Sequence, residues 1–175
     1  QQIRWSSVRS TMAEFVHLEL YANDERIDGE STQTSLGREG TIECFNLDHR
    51  IRSAIDAVSG RAAGRRVYEE FKIQKRLDSS TPLIIRALCN NEEIRGTFRF
   101  YRPHHSGDGT TEHFFTVAVT EARIASYRLM SPNANDRNNA DPPMEEISFV
   151  FHNIRWCDEA NHKEHADSWK EGGSR

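Results

Sequence analysis

Residues 48–88 read DHRIRSAIDAVSGRAAGRRVYEEFKIQKRLDSSTPLIIRAL, and three unlike pieces follow one another in them. Residues 48–66 are too polar, and too broken by Gly60 and Gly64, to be a core element. Residues 67–76, VYEEFKIQKR, set Val67, Phe71 and Ile73 at mostly even spacing, which suits a half-buried strand. Ser80-Thr81-Pro82 then opens a helix over residues 80–89. A hydroxyl can accept from a free N–H of the first turn, and Pro has no N–H to waste there. Leu83, Ile84, Ala87 and Leu88 continue at helical spacing, and Asn90-Asn91 ends the run.

Outside this stretch the chain alternates like strands. Residues 14–21 place Val16, Leu18 and Leu20 on one face, with Phe15, His17 and Glu19 on the other. A polar loop and a second strand over 41–50 follow. After the helix, residues 94–102 and 111–127 form two strands around a Gly107-Asp108-Gly109 turn, with Phe115, Val117 and Val119 pointing inward. Residues 131–143 are an Asn/Asp/Pro-rich loop, and 144–156 alternate again as one strand. Six or more strands and one helix predict an antiparallel barrel or sandwich with the helix packed against it. The expected division is an N-terminal extension or cloning remnant over 1–13, with Met12 as natural start, then a β domain over 14–157 and a frayed polar tail over 158–175.

At 175 residues the chain is long enough for one domain with a real core. A net charge of -4 and a pI near 6.1 argue against a nucleic-acid partner, which would need basic surface. No apolar run is long enough for membrane insertion by a helix, and no signal peptide is visible. The expectation is synthesis in the cytoplasm and, if the protein leaves, export in the folded state. Cys44, Cys89 and Cys157 are too few and too scattered for a disulfide framework, and read as reduced, mostly buried thiols.

No convincing active site, metal site or cofactor site emerges. On a helix His162 and His165 would share a face near Asp158, Glu159, Glu164 and Asp167, but a polar tail collects such residues anyway. Gly60-x-x-x-Gly64-Arg65-Arg66 lacks the Gly-Lys-Ser/Thr ending of a phosphate loop. Glu145 and Glu146 are strand neighbours pointing to opposite faces, so they cannot act as facing carboxylates. What stands out is charge: residues 48–76 hold eight basic and four acidic residues in a chain of net charge -4. A basic projection of this kind suits an acidic surface on a neighbouring copy.

The order Asp56, Ser59-Gly60-Arg61, Gly64-Arg65, Tyr68, Phe71, Ile73, Lys75, Asp78, Pro82, Ala87-Leu88 resembles the Hcp family, the tube-forming proteins of bacterial type VI secretion systems. The resemblance continues through Glu145-Glu146-Ile147-Ser148-Phe149, Ile154-Arg155-Trp156 and Asp167-Ser168-Trp169, over roughly residues 14–170. It implies a mainly β fold: an antiparallel β-barrel of two sheets with one short flanking α-helix and long loops. It further implies a non-enzymatic tube subunit, forming homo-hexameric rings that stack and carry effectors in the lumen. Sheath, spike and effector proteins would be its partners, and the protein would itself be secreted without a signal peptide. The subunit or ring-stacking contact is expected in the loop bearing Arg50, Arg52, Asp56, Gly60, Arg61, Gly64, Arg65 and Arg66. The alternative reading is a monomeric β-barrel that binds a small ligand.

Overall fold

The computed structural model describes residues 14–169; the expectations about residues 1–13 and 170–175 lie outside them. In chain order the elements are β1 (Val16–Ala22), β2 (Glu25–Ile27), β3 (Ile42–Asp48), β4 (Ile51–Ile55), β5 (Ala62–Tyr68) and β6 (Phe71–Arg76). Then come α1 (Thr81–Cys89), β7 (Ile94–Pro103), β8 (Thr111–Met130), β9 (Met144–Val150), β10 (Asn153–Asp158) and β11 (Lys163–Ser168). Every pairing is antiparallel.

The order β8-β7-β1-β3-β6-β9 returns to β8 and closes a barrel. Closure depends on the 20 residues of β8. Its first half pairs with β7 and β10, and its second half, from Arg123 to Met130, pairs with β9. Between the halves Glu121 takes a φ of 48°, so one continuous strand changes direction and pairs with β7 on one side of the closure and β9 on the other. β10 and β11 extend the sheet beyond the ring, and β2 adds to β1.

Alternation explains the interior. Leu18, Leu20, Phe71, Ile73, Phe98, Val117, Val119, Ile147 and Phe149 are all buried. Phe98 lies 4.7 Å from Phe71 and 6.1 Å from Phe149, centroid to centroid, so aromatic rings occupy the barrel interior. These rings take up interior space that a small-ligand barrel would leave open. α1 turns Ile84 and Ala87 onto the barrel. The long polar segment between β2 and β3 is held closely: Gly29 donates to the Gly40 carbonyl, and the Tyr101 hydroxyl donates to the Leu36 carbonyl. A Cβ on Gly29 would lie 2.6 Å from the Thr41 carbonyl oxygen, which explains the glycine.

Four sequence expectations change. The stretch 48–66 is not irregular: it forms the β4–β5 hairpin, a separate two-stranded sheet. The strand expected over 67–76 is divided at Glu69-Glu70, so Val67 belongs to the hairpin and Phe71 to the barrel. The run 144–156 is likewise two strands, because the chain bends at Phe151-His152 and His152 donates to the Glu121 carbonyl. The polar stretch after Trp156 is ordered as far as Ser168, since β11 pairs with β10 from Asn153↔Ser168 to Asp158↔Lys163. Backbone pairing on an edge strand needs no apolar face, so polarity concealed it.

The start of α1 also differs in detail. The Ser80 hydroxyl does not cap the helix but donates to Asp78 Oδ1, which also accepts the Ser80 backbone N–H. Asp78 organises the turn. Pro82 sits in the first turn, where its missing N–H costs nothing.

Candidate functional site

The hairpin projects from the point where β3 leaves the barrel. Its turn is built by Asp56, whose carboxylate accepts from the Val58 N–H at 2.8 Å and the Ser59 hydroxyl at 3.0 Å. These bonds hold its carboxyl below the usual Asp range. The Asp56 and Arg61 backbones pair across the turn, and Gly60 supplies the positive φ of 64° that the reversal requires. Gly64, at φ 78°, lies where the register slips between Ser53 and Ile55, so it makes the bulge of β5. The two glycines and Asp56 therefore shape the hairpin.

The arginines sort by position. Arg50 and Arg52 reach Glu69 at 3.5 and 3.1 Å, binding the hairpin stem to its exit. Arg65 lies in β5, and Arg61 stands exposed beside the turn. Arg66 forks onto Asp167 of β11, and Tyr68 donates its hydroxyl to the same carboxylate. Burial pushes the Asp167 carboxyl up, but the Tyr68 and Arg66 hydrogen bonds outweigh it, and the group sits below its ordinary value. Asp167 is thus the hub of the hairpin root. Sequence spacing could not join residues about a hundred positions apart, although both lie in the segments that carry the family resemblance.

The hairpin end is apolar as well as basic. Val58 is 96% exposed and Ile55 69%, unusual values for β-branched side chains on an ordered turn. At the hairpin base lies a cavity of about 320 Å³ walled by Tyr68, Phe149, Val150, Phe151 and Trp169, with Glu69, Glu70 and Glu121 also on its lining.

A second polar feature escaped the sequence reading. Lys75 and Glu145 are both fully buried, face each other in the β6–β9 register and form an ion pair. Lys75 Nζ also donates to Asp78 Oδ1 at 2.8 Å, and Glu145 accepts from the Tyr127 hydroxyl at 2.7 Å and the Thr81 hydroxyl at 2.9 Å. Every acceptor and donor is used, as a buried charge pair requires. The network ties three barrel strands to the start of α1. It stands within packed side chains, a structural position.

Other candidates do not come together. His165 lies on β11, a strand, while His162 lies in the preceding turn, so the shared helical face does not exist. Among the described residues no three His, Cys, Asp or Glu side chains gather as a metal site. Cys44 is buried and burial lifts its thiol to about 12, but Cys157 is half-buried and Cys89 exposed, so the thiols are less hidden than expected.

A match to the family model described as "Type VI secretion system effector, Hcp" covers residues 18–157. The chain belongs to the Hcp family. Hcp proteins are structural tube proteins of the type VI secretion system rather than enzymes. A curated relative, the "Major exported protein" of Pseudomonas aeruginosa, is 28% identical over 136 residues, covering 77% of this chain and 78% of its own length. Among solved structures, a crystal structure of an Hcp protein aligns with a TM-score of 0.79 at 24% identity, covering 90% of this chain and 98% of its own. A substituted Hcp1 of E. coli EAEC 042 aligns at 0.78 with 21% identity, covering 90% and 99%. At these identities the two structures establish the Hcp fold: a closed β-barrel with one short helix.

Proposed function

We propose that copies of this chain close into hexameric rings, and that the rings stack through the β4–β5 hairpin into the inner tube of a type VI secretion system. The observation that carries this reading is the hairpin itself. Family membership supplies the tube, and the hairpin supplies an ordered, anchored projection whose apolar tip, Ile55 and Val58, is unsatisfied in the single chain. Head-to-tail contacts that close by rotation make a ring, whereas a contact that does not close extends a filament. A projection meeting an unlike surface provides the second kind.

In this reading the lumen carries effector proteins, and sheath and spike proteins are the further partners. The chain is made in the cytoplasm and exported without a signal peptide, in keeping with the name of the P. aeruginosa relative. The test is the solution mass of the full chain and of Val58→Asp combined with Arg61→Glu. A wild-type mass that is a multiple of about six times 20.2 kDa, and a hairpin variant that stops at a single ring, support the reading. A wild-type chain that stays monomeric at every concentration sinks it. Arg66 is the wrong residue for this purpose, because reversing it also undocks the hairpin from Asp167.

A further inference from the structure

Among the described residues, His49 has the only buried side-chain nitrogen or oxygen atoms without a hydrogen-bond partner, and both ring nitrogens are in that state. Buried polar atoms are nearly always paired, so this position needs a reason. His49 links β3 to β4, and it is enclosed by rings. Phe71 lies at 4.9 Å, Phe151 at 6.2 Å, Trp156 at 5.9 Å in a stacked arrangement, and Tyr68 at 6.4 Å, tilted by only 8°. Trp156 stacks in turn on His165 of β11. The ladder Tyr68–His49–Trp156–His165 therefore runs from the hairpin to the edge of the barrel sheet.

We propose that the hairpin root is an acid-sensitive latch, in which proton uptake by His49 releases the β4–β5 hairpin while the barrel stays folded. The neutral ring suits its aromatic surroundings, but the imidazolium finds no acceptor there. From β5 comes Tyr68, whose hydroxyl is already given to Asp167. From β11, the Asp167 carboxylate is committed to Arg66 and Tyr68, and His165 faces the far side of Trp156. From β6 and the β9–β10 bend come the rings of Phe71 and Phe151. Asp48, next in the chain, is the one acid that pulls the other way.

Burial holds His49 below the ordinary His value, and the Asp48 attraction only partly offsets this. The docked state thus binds the proton less well than an open state in which the ring is solvated. Docking is fully present above about pH 6.5, the ordinary His value, and is lost as the pH falls below it. The hairpin gives way first because β4 and β5 pair only with each other. A lone two-stranded sheet is marginal, so its placement depends on the ring ladder and the Asp167 hub.

The latch concerns the single chain; its consequence for stacking rests on the tube reading proposed above. The test is amide hydrogen exchange of the full chain at about pH 7.5 and about pH 5.5, corrected for intrinsic rates, in wild type and His49→Phe. Residues 51–68 of wild type are expected to exchange up to about tenfold faster at the lower pH, while β1 and β7 stay far better protected than the hairpin at both values. His49→Phe, which keeps a ring but cannot titrate, is expected to remove the acid effect. An unchanged wild-type hairpin overturns the latch, as does equal acceleration in the variant. Should His49→Phe fail to fold, an NMR titration of the wild-type His49 ring decides instead. A midpoint that does not coincide with hairpin opening is the contrary result. Solution mass at both pH values separates the two readings: a hairpin that opens without loss of stacking leaves the latch intact and removes the hairpin's stacking role.

Discussion

The barrel and the hairpin occupy one chain and solve opposite problems. The barrel places its charges where they are expensive, as Lys75 and Glu145 at zero exposure, and surrounds them with enough partners to hold them. The hairpin does the reverse: it leaves Val58 and Ile55 in water and touches the barrel through one carboxylate and a stack of rings. A buried charge without a spare partner makes a region that opens all at once. A surface element with one root makes a region that can open alone. Under the proposed tube reading, the contrast supplies a body that resists force and a contact that can be made and unmade.

The sharpest way to break the comparison is to strike the barrel. Lys75→Met leaves Glu145 buried without its cation and is expected to cost about 3–5 kcal/mol in urea unfolding, because desolvation of the remaining charge dominates. A loss below about 1 kcal/mol would mean that the pair is not closed to water.

Acid should strike the barrel next. Burial lowers the His17 ring to about 4, with Glu43 opposing and Arg38 assisting, and its Nδ1 bonds the Thr41 hydroxyl at 2.9 Å. The folded value lies below the unfolded one, so the contribution is complete above about pH 6.5 and is lost as the pH falls toward 4. The amount is on the order of 3 kcal/mol, and His17→Phe should flatten that part of the stability–pH curve.

The smallest global effect belongs to the hairpin root. Asp167→Asn weakens the fork to Arg66 and the bond from Tyr68, so hairpin amides should exchange about tenfold faster or more, the ratio expected for one lost charged hydrogen bond. Global stability should move by less than about 1 kcal/mol. A large global loss would erase the distinction between the two regions.

Much of the barrel was legible. Alternation in residues 16–22 and 144–150 marks faces that the structure buries, and Pro82 marks the first turn of the helix. The buried ion pair was legible in principle too. Lys75 shares the inward parity of Phe71 and Ile73, and Glu145 that of Ile147 and Phe149, so each strand carries one charge on its core face. Opposite charges at inward positions of two strands are a signal for pairing. The hairpin was hidden for a physical reason: β4 is exposed along nearly its whole length and has no alternation to display. β11 escaped for the same reason. His49 carried no signal at all, because its environment is made by rings from β5, β6 and β10 and the Phe151 bend, which meet only in the folded chain.

The most direct test of the account joins assembly to stability in one pair of samples: wild type and Val58→Asp, followed by light scattering and urea unfolding. Val58 is 96% exposed, so the substitution should leave unfolding within about 0.5 kcal/mol of wild type. The account predicts that this folded variant no longer stacks, while wild type does. A variant that assembles like wild type would contradict the assignment of the hairpin tip as the contact between copies.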